Sequence, residues 1–292
     1  MGIRRVALAV AGLSLVAGAA MTSQASAQVT AEACSLEIGA VNAAGQASAY
    51  KVWATKPLQE IQLEPYKLFG VRASATWYYV ENTPKKHHYG LVLQAGNLYA
   101  AYSTYSPSGT AASAVKLGSG WSGFSTIATS NYVQGPKAHR FLYGLHANGS
   151  LYRYNYTSGA VRAFGSAPGY QAFKAITVIS ETATYDTLLA TTKAGALWTI
   201  HVPVTAPFKA TLKQVRSTGF AAYDQLVVQR CGTSSMLLVG MNNTANTGTM
   251  YAVSRANGSA TLINTVGTFA ANFDAPTYFL RTRADGPQLV GE

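Results

Sequence analysis

Only 11% of the 292 residues are charged, yet Lys and Arg outnumber Asp and Glu by 22 to 11, and 18 residues are Tyr. A basic surplus of this kind favours anionic partners such as cell-wall polymers or acidic glycans. The basic residues are scattered and form no stripe with interleaved aromatics, which argues against nucleic acid.

In chain order, the first expected element is a secretory leader. Arg4 and Arg5 precede an apolar run from Val6 to Ala20, and Ala25–Ala27 (ASA) supplies a small-residue cleavage pattern before Gln28. The run is short for a membrane span and no stop-transfer pattern follows it, so residues 1–27 are expected to be removed and 28–292 to fold as a single secreted domain. No later stretch is apolar enough to cross a membrane. Cys34 and Cys231 are the two cysteines, and an oxidising compartment predicts that they pair. No His or Cys stands near either at zinc-ligand spacing.

From residue 36 onward the chain repeats. An apolar strand with a small residue at its centre occurs at Gly39, Gly90, Gly144, Ala190 and Gly240. A Gly-x-(Leu/Met)-(Tyr/Trp) turn follows at Gly96, Gly149, Gly195 and Gly248, with a worn copy at Gly45. Roughly half a period later comes Gly-aromatic-x-x-aromatic, at Gly120, Gly169 and Gly219, with degenerate forms at Gly70 and around Gly267–Phe273. Three markers share one period near 50 residues. Alternating apolar residues and frequent Gly/Asn/Ser turns predict strands, and Asn148-Gly149 predicts a type I′ hairpin. Crowding of innermost strands about an axis would explain the small mid-strand residues. One four-stranded sheet cannot bury both faces, whereas sheets arranged radially bury each other. The expected fold is all-β, a five-bladed β-propeller of four-stranded antiparallel blades. "QLVGE" at the C-terminus is a surplus copy of the glycine-centred strand, either closing the ring or lying as a tail.

The pair "GSGWSGFSTIATS" and "FLYGLHANGSLYRY" resembles the repeat of tachylectin-type five-bladed propellers, with its Gly-Trp-x-x-Phe segment, apolar strand and G-x-LY turn. The likeness spans essentially residues 28–292. It is best around Trp121 and Tyr170, and Val71 and Ala270 depart from the aromatic pattern. It implies a lectin binding N-acetylated amino sugars at sites between neighbouring blades, made effective by multivalency.

The candidate ligand contacts are Trp121, Tyr170 and Phe220, whose flat rings suit sugar C–H faces, with Trp77 and Trp198 nearby; blade-to-blade packing is the competing role. Asp224 and Asp274 stand 50 residues apart at equivalent repeat positions, which suits a structural or ligand-contacting role better than glycoside hydrolysis. "PKKHHY" at Pro84–Tyr89 reads as a solvated loop rather than a metal site. No phosphate loop, nucleophile elbow or zinc signature appears, so the expectation is a non-catalytic carbohydrate binder without cofactor or metal. A secreted protein-interaction scaffold is the alternative, and a glycan-active enzyme the third reading.

Overall fold

The structure is a computed structural model. It describes residues 34–292 apart from 43, 57, 68, 158 and 272–274, and gives the backbone alone of 62–67. The expected leader, Asp274 and Phe273 lie outside the described residues.

The described chain is built from antiparallel strands in short sheets. β1 (Ser35–Val41), β2 (Gln46–Trp53) and β3 (Gln59–Lys67) form a meander. β4 (Ala73–Ser74) and β5 (Trp77–Asn82) both pair with β6 (Lys85–Gln94), and β7 (Asn97–Ser106) and β8 (Gly109–Ser119) complete the second sheet. β9 (Phe124–Tyr132), β10 (His139–His146), β11 (Ser150–Tyr156) and β12 (Val161–Pro168) form the third. β13 (Phe173–Glu181), β14 (Tyr185–Thr192), β15 (Leu197–Pro203) and β16 (Thr211–Arg216) form the next. β17 (Gln225–Cys231), β18 (Ser235–Asn242), β19 (Thr247–Ser254) and β20 (Ile263–Ala270) follow. The last strand, β21 (Thr277–Arg283), returns to the first meander and pairs antiparallel with β1, from Val41↔Thr277 to Glu37↔Arg281. A short parallel bridge from β21 to β5 joins the first and second sheets edge to edge.

The leading strands touch in cyclic succession: β4 against β9, β9 against β13, β13 against β17, β17 against β21, and β21 against β5. The apolar clusters lie between consecutive sheets rather than in one centre. Leu93, Leu98 and Trp121 fill the gap between the second and third sheets. Phe141, Tyr143 and Phe173 fill the next. Leu189, Phe220 and Leu238 fill the one after. Ile38, Val239 and Met250 seat the sheet of β17–β20 against the first. Each sheet thus buries both faces only through its neighbours, which is the physical reason for repeating it.

The disulfide forms as expected, Cys34 to Cys231, across 197 residues. It ties the start of β1 to the end of β17. The mid-strand glycines have a different cause from backbone crowding. They lie in the second strand of four of the sheets, the fourth carrying Ala190 there, and a Cβ would strike an aromatic ring: 2.6 Å from Phe124 at Gly144 and 2.6 Å from Trp77 at Gly90. Gly240 meets Tyr223 and Gly39 meets Phe279 in the same way. Phe124 and Tyr223 are the second aromatics of the half-period motif, so two of the three markers are one packing unit.

The Asn148-Gly149 turn is not type I′. Gly149 has φ 81° while Asn148 keeps a negative φ, and Gly149 N–H donates to His146 O at 2.9 Å, a type I turn followed by a left-handed glycine. The type I′ form belongs to Ala95-Gly96, where φ is 45° and 75°. The surplus C-terminal copy does not complete a sheet, because β21 already does so. Residues 287–292 cross the ends of β13 and β17 instead. Gly291 N–H donates to Ile179 O at 2.7 Å, and Arg230 donates to Gln288 O at 3.0 Å.

Candidate functional site

Trp121, Tyr170 and Phe220 are 6%, 5% and 5% exposed, so none offers a ring face to a sugar. The "GSGWSG" segment does run along the surface, but its indole points inward, against Phe124 and Tyr154. The backbone explains why these rings recur. Trp121 N–H donates to Gly96 O at 2.8 Å, Tyr170 N–H to Gly149 O at 2.7 Å and Phe220 N–H to Gly195 O at 3.0 Å. Each half-period motif therefore stitches the start of one sheet to the hairpin turn of the sheet before it, and its aromatic plugs the seam. Trp77 is buried as well and Trp198 is half-buried. Asp224 makes structural contacts with part of its side chain exposed. One of its oxygens accepts the Asn243 N–H at 3.1 Å, and the other lies 3.5 Å from the Lys174 ammonium of the preceding sheet.

An open site exists elsewhere, in the cleft between the second and third sheets. Strand alternation places Thr76, Tyr78, Tyr89, Leu91, Ala100 and Tyr102 on one face of the second sheet. Tyr78 is paired with Tyr89 across β5–β6, and Tyr89 with Tyr102 across β6–β7, so three tyrosines form a row over the sheet. Tyr78 and Tyr89 stack with centroids 5.7 Å apart. The facing wall comes from the third sheet, with Thr129 on β9, Arg140 on β10 and Tyr156 and Thr157 at the end of β11. The cavity between them measures about 270 Å³. That is close to the lower end of small-molecule sites, about 300 Å³.

The same row in the other sheets is core. It reads Leu280–Ile38–Tyr50 in the first, Ala128–Tyr143–Arg153 in the third, Thr177–Leu189–Thr199 in the fourth and Val227–Val239–Met250 in the last. All of these are buried except the half-buried Thr177. Tyr89 and Tyr102, by contrast, are 36% and 38% exposed. The clearest difference is at Tyr102, whose place in the third sheet is taken by Arg153. That guanidinium is fully buried over Phe141, Phe164 and Phe208, at 4.7, 4.7 and 5.2 Å from the ring centres, and donates to Pro203 O and Thr205 O. The protein's own side chain fills the space that lies open one seam earlier.

The charge within the cleft's own lining is that of Arg140, while the buried Glu181 behind it raises the phenol pKa values of Tyr78 and Tyr156, after the larger effect of burial. The lining holds no Asp or Glu. Burial raises the phenol pKa values of Tyr89 and Tyr156, and the positive charge of Arg140 pulls against that rise in both. Arg140 is held by Asn131, whose Oδ1 accepts the Nε–H at 2.9 Å. Asn131 in turn donates its backbone N–H to Glu181 Oε1 at 2.8 Å.

Behind that wall lies a buried acidic group that the sequence did not single out. Asp186 accepts the Tyr143 hydroxyl at 2.8 Å and sits 3.2 Å from His139 Nε2. Burial acts to lower the His139 pKa, but the hydrogen bond and charge of Asp186 prevail and raise it. Burial first, and then the nearby Asp186 charge, push Glu181 up to about 7, against the backbone hydrogen bonds from Asn131 and Leu289. The "PKKHHY" stretch is not a loop from its second residue on. Lys85–Gln94 is β6, with His87 exposed and His88 buried under Arg281. Among the described residues no group of His, Cys, Asp and Glu has the arrangement of a metal site, and no helix is long and apolar enough to cross a membrane.

No family model matches the chain, and no curated protein matches it. Several solved structures are similar at a distance. An α-L-arabinofuranosidase catalytic domain from Coprinopsis cinerea is 12% identical with a TM-score of 0.45, over 72% of this chain and 73% of that one. A six-bladed β-propeller fucose lectin of Aleuria aurantia is 13% identical with a TM-score of 0.45, over 81% and 80%. A protein of unknown function from Desulfotomaculum acetoxidans is 11% identical with a TM-score of 0.37, over 81% and 70%. Likeness at this level assigns neither an activity nor a ligand.

Proposed function

We propose that this chain is a secreted, five-bladed β-propeller that binds carbohydrate, without acting on it, in the cleft between its second and third sheets. The observation that carries the reading is the tyrosine row Tyr78–Tyr89–Tyr102, half-buried at Tyr78 and exposed at Tyr89 and Tyr102, where the same row is core in the other sheets. Exposing phenol rings at a seam costs burial, and the cleft returns a flat aromatic wall with hydroxyls at its edge, which suits the C–H face and hydroxyl rim of a sugar ring. The lining supports binding over hydrolysis as the reading, because glycoside cleavage uses two carboxylates flanking the bond and the residues lining the cleft include neither Asp nor Glu.

The cyclic strand contacts and the return of β21 to β1 support the propeller reading. The Cys34–Cys231 bridge is compatible with an oxidising compartment. The amino-sugar preference implied by the tachylectin-like repeat rests on Trp121, Tyr170 and Phe220, which are buried, so the proposal does not extend to it. Nor does it extend to a site at every seam, since Arg153 fills the next one.

A glycan array probed with the full chain tests the reading. Binding is expected, and Tyr102→Ala is expected to weaken the best ligand by about tenfold or more, about 1.4 kcal/mol, with unchanged circular dichroism. An array with no bound glycan, or binding indifferent to Tyr102, would refute it.

A further inference from the structure

The cleft's charge narrows the class of sugar. Arg140 is exposed, and among the described residues no carboxylate lies within ion-pair distance of it. Its one hydrogen bond is through Nε to Asn131, a residue 7% exposed and itself anchored by Glu181. A guanidinium held at Nε keeps its two terminal nitrogens as a fixed fork, the geometry that accepts a carboxylate through two parallel hydrogen bonds. The other polar groups of the lining are Tyr and Thr hydroxyls. The lining thus carries one cation and no carboxylate. Those hydroxyls both donate and accept and so serve the hydroxyls of any sugar, whereas the guanidinium is donor-only and charged, and a carboxylate is the acceptor-only group that matches it. The surplus of Lys and Arg across the chain favours the same ligand charge at longer range.

We propose that the cleft takes the carboxylate of an acidic sugar, a uronate residue of a glycan, with Arg140 as its counter-ion and the tyrosine row under the ring. This rests on the reading of the cleft as a carbohydrate site. Arg140 is the specificity-determining group, and Asn131 is its positioning residue.

The experiment is calorimetric titration of the full chain with methyl glucuronide and methyl galacturonide, each beside its methyl ester, which keeps the ring and removes the charge. At least one acid is expected to bind tenfold or more tightly than its ester, and the preference should shrink as NaCl rises, because an exposed ion pair is screened. Arg140→Gln should abolish the preference, the acid losing tenfold or more in affinity and the ester losing less. Tyr102→Ala should weaken acid and ester together. Equal affinity for acid and ester overturns the uronate assignment and leaves the carbohydrate reading standing. Binding of neither, with the array also empty, overturns both.

Discussion

At the residue scale the buried titrating groups set how stability depends on pH. Glu181 holds its proton in the folded chain up to about pH 7, against an ordinary value of 4.5. The folded state therefore binds more protons between those limits, and stability falls as pH rises through that window. His139, raised by Asp186 against burial, adds to the fall as pH climbs past its ordinary 6.5. His88 works the other way. Burial and the neighbouring Arg281 charge lower it to about 3, so it resists protonation in the fold and its contribution is lost as pH drops from 6.5 toward 3. The wild type against Glu181→Gln isolates the first effect, because the amide keeps an acceptor for the Asn131 N–H and does not titrate. Urea denaturation at pH 4.5 and pH 8 should show the wild type losing on the order of 3 kcal/mol relative to the variant. Parallel pH curves for the two proteins would count against this.

At the element scale the hairpin and the half-period motif act together. The turn glycine's carbonyl accepts from the first aromatic of the next motif, and the second aromatic of that motif lies over the next mid-strand glycine. Phe124 over Gly144 is the best-defined case, since a Cβ would sit 2.6 Å from the ring. Gly144→Ala is expected to cost about 1–3 kcal/mol through overpacking. Adding Phe124→Leu should recover part of the loss, which a double-mutant cycle in urea measures as coupling. An alanine variant as stable as wild type would show that the ring yields freely and is not what holds the position to glycine.

At the scale of the whole molecule two latches hold the first sheet to the last. β21 comes from the end of the chain and completes the sheet of β1, and Cys34–Cys231 bonds β1 to β17. They are separate in kind. The strand adds backbone hydrogen bonds and apolar contact, while the disulfide limits the unfolded chain. For a loop of 197 residues the chain-entropy model gives about 5 kcal/mol as an upper figure. The double variant Cys34→Ser, Cys231→Ser should fold with its strand spectrum intact but unfold at markedly lower urea. If it fails to fold at all, the β21 return is not sufficient to close the structure.

The sequence alone determined the repeating strand architecture, because markers such as Gly144 with Phe124 and Gly96 with Trp121 are local residues answering local contacts, the first kind found in four sheets and the second at three seams. The cysteine pairing was legible as well, since two cysteines leave one intramolecular partner. The binding cleft was not. Repetition drew attention to Trp121, Tyr170 and Phe220, and what recurs in a repeat protein is what packs it. The candidate site arises where the repeat is broken. Tyr89 precedes its mid-strand glycine just as Tyr143 does, and nothing in the string says that one is 36% exposed and the other fully buried. That difference depends on what stands across the strands and across the seam: Tyr102 in one sheet, Arg153 under three phenylalanines in the next. Only the tertiary structure places residues some 50 positions apart face to face, and so only it decides which seam is filled and which is open.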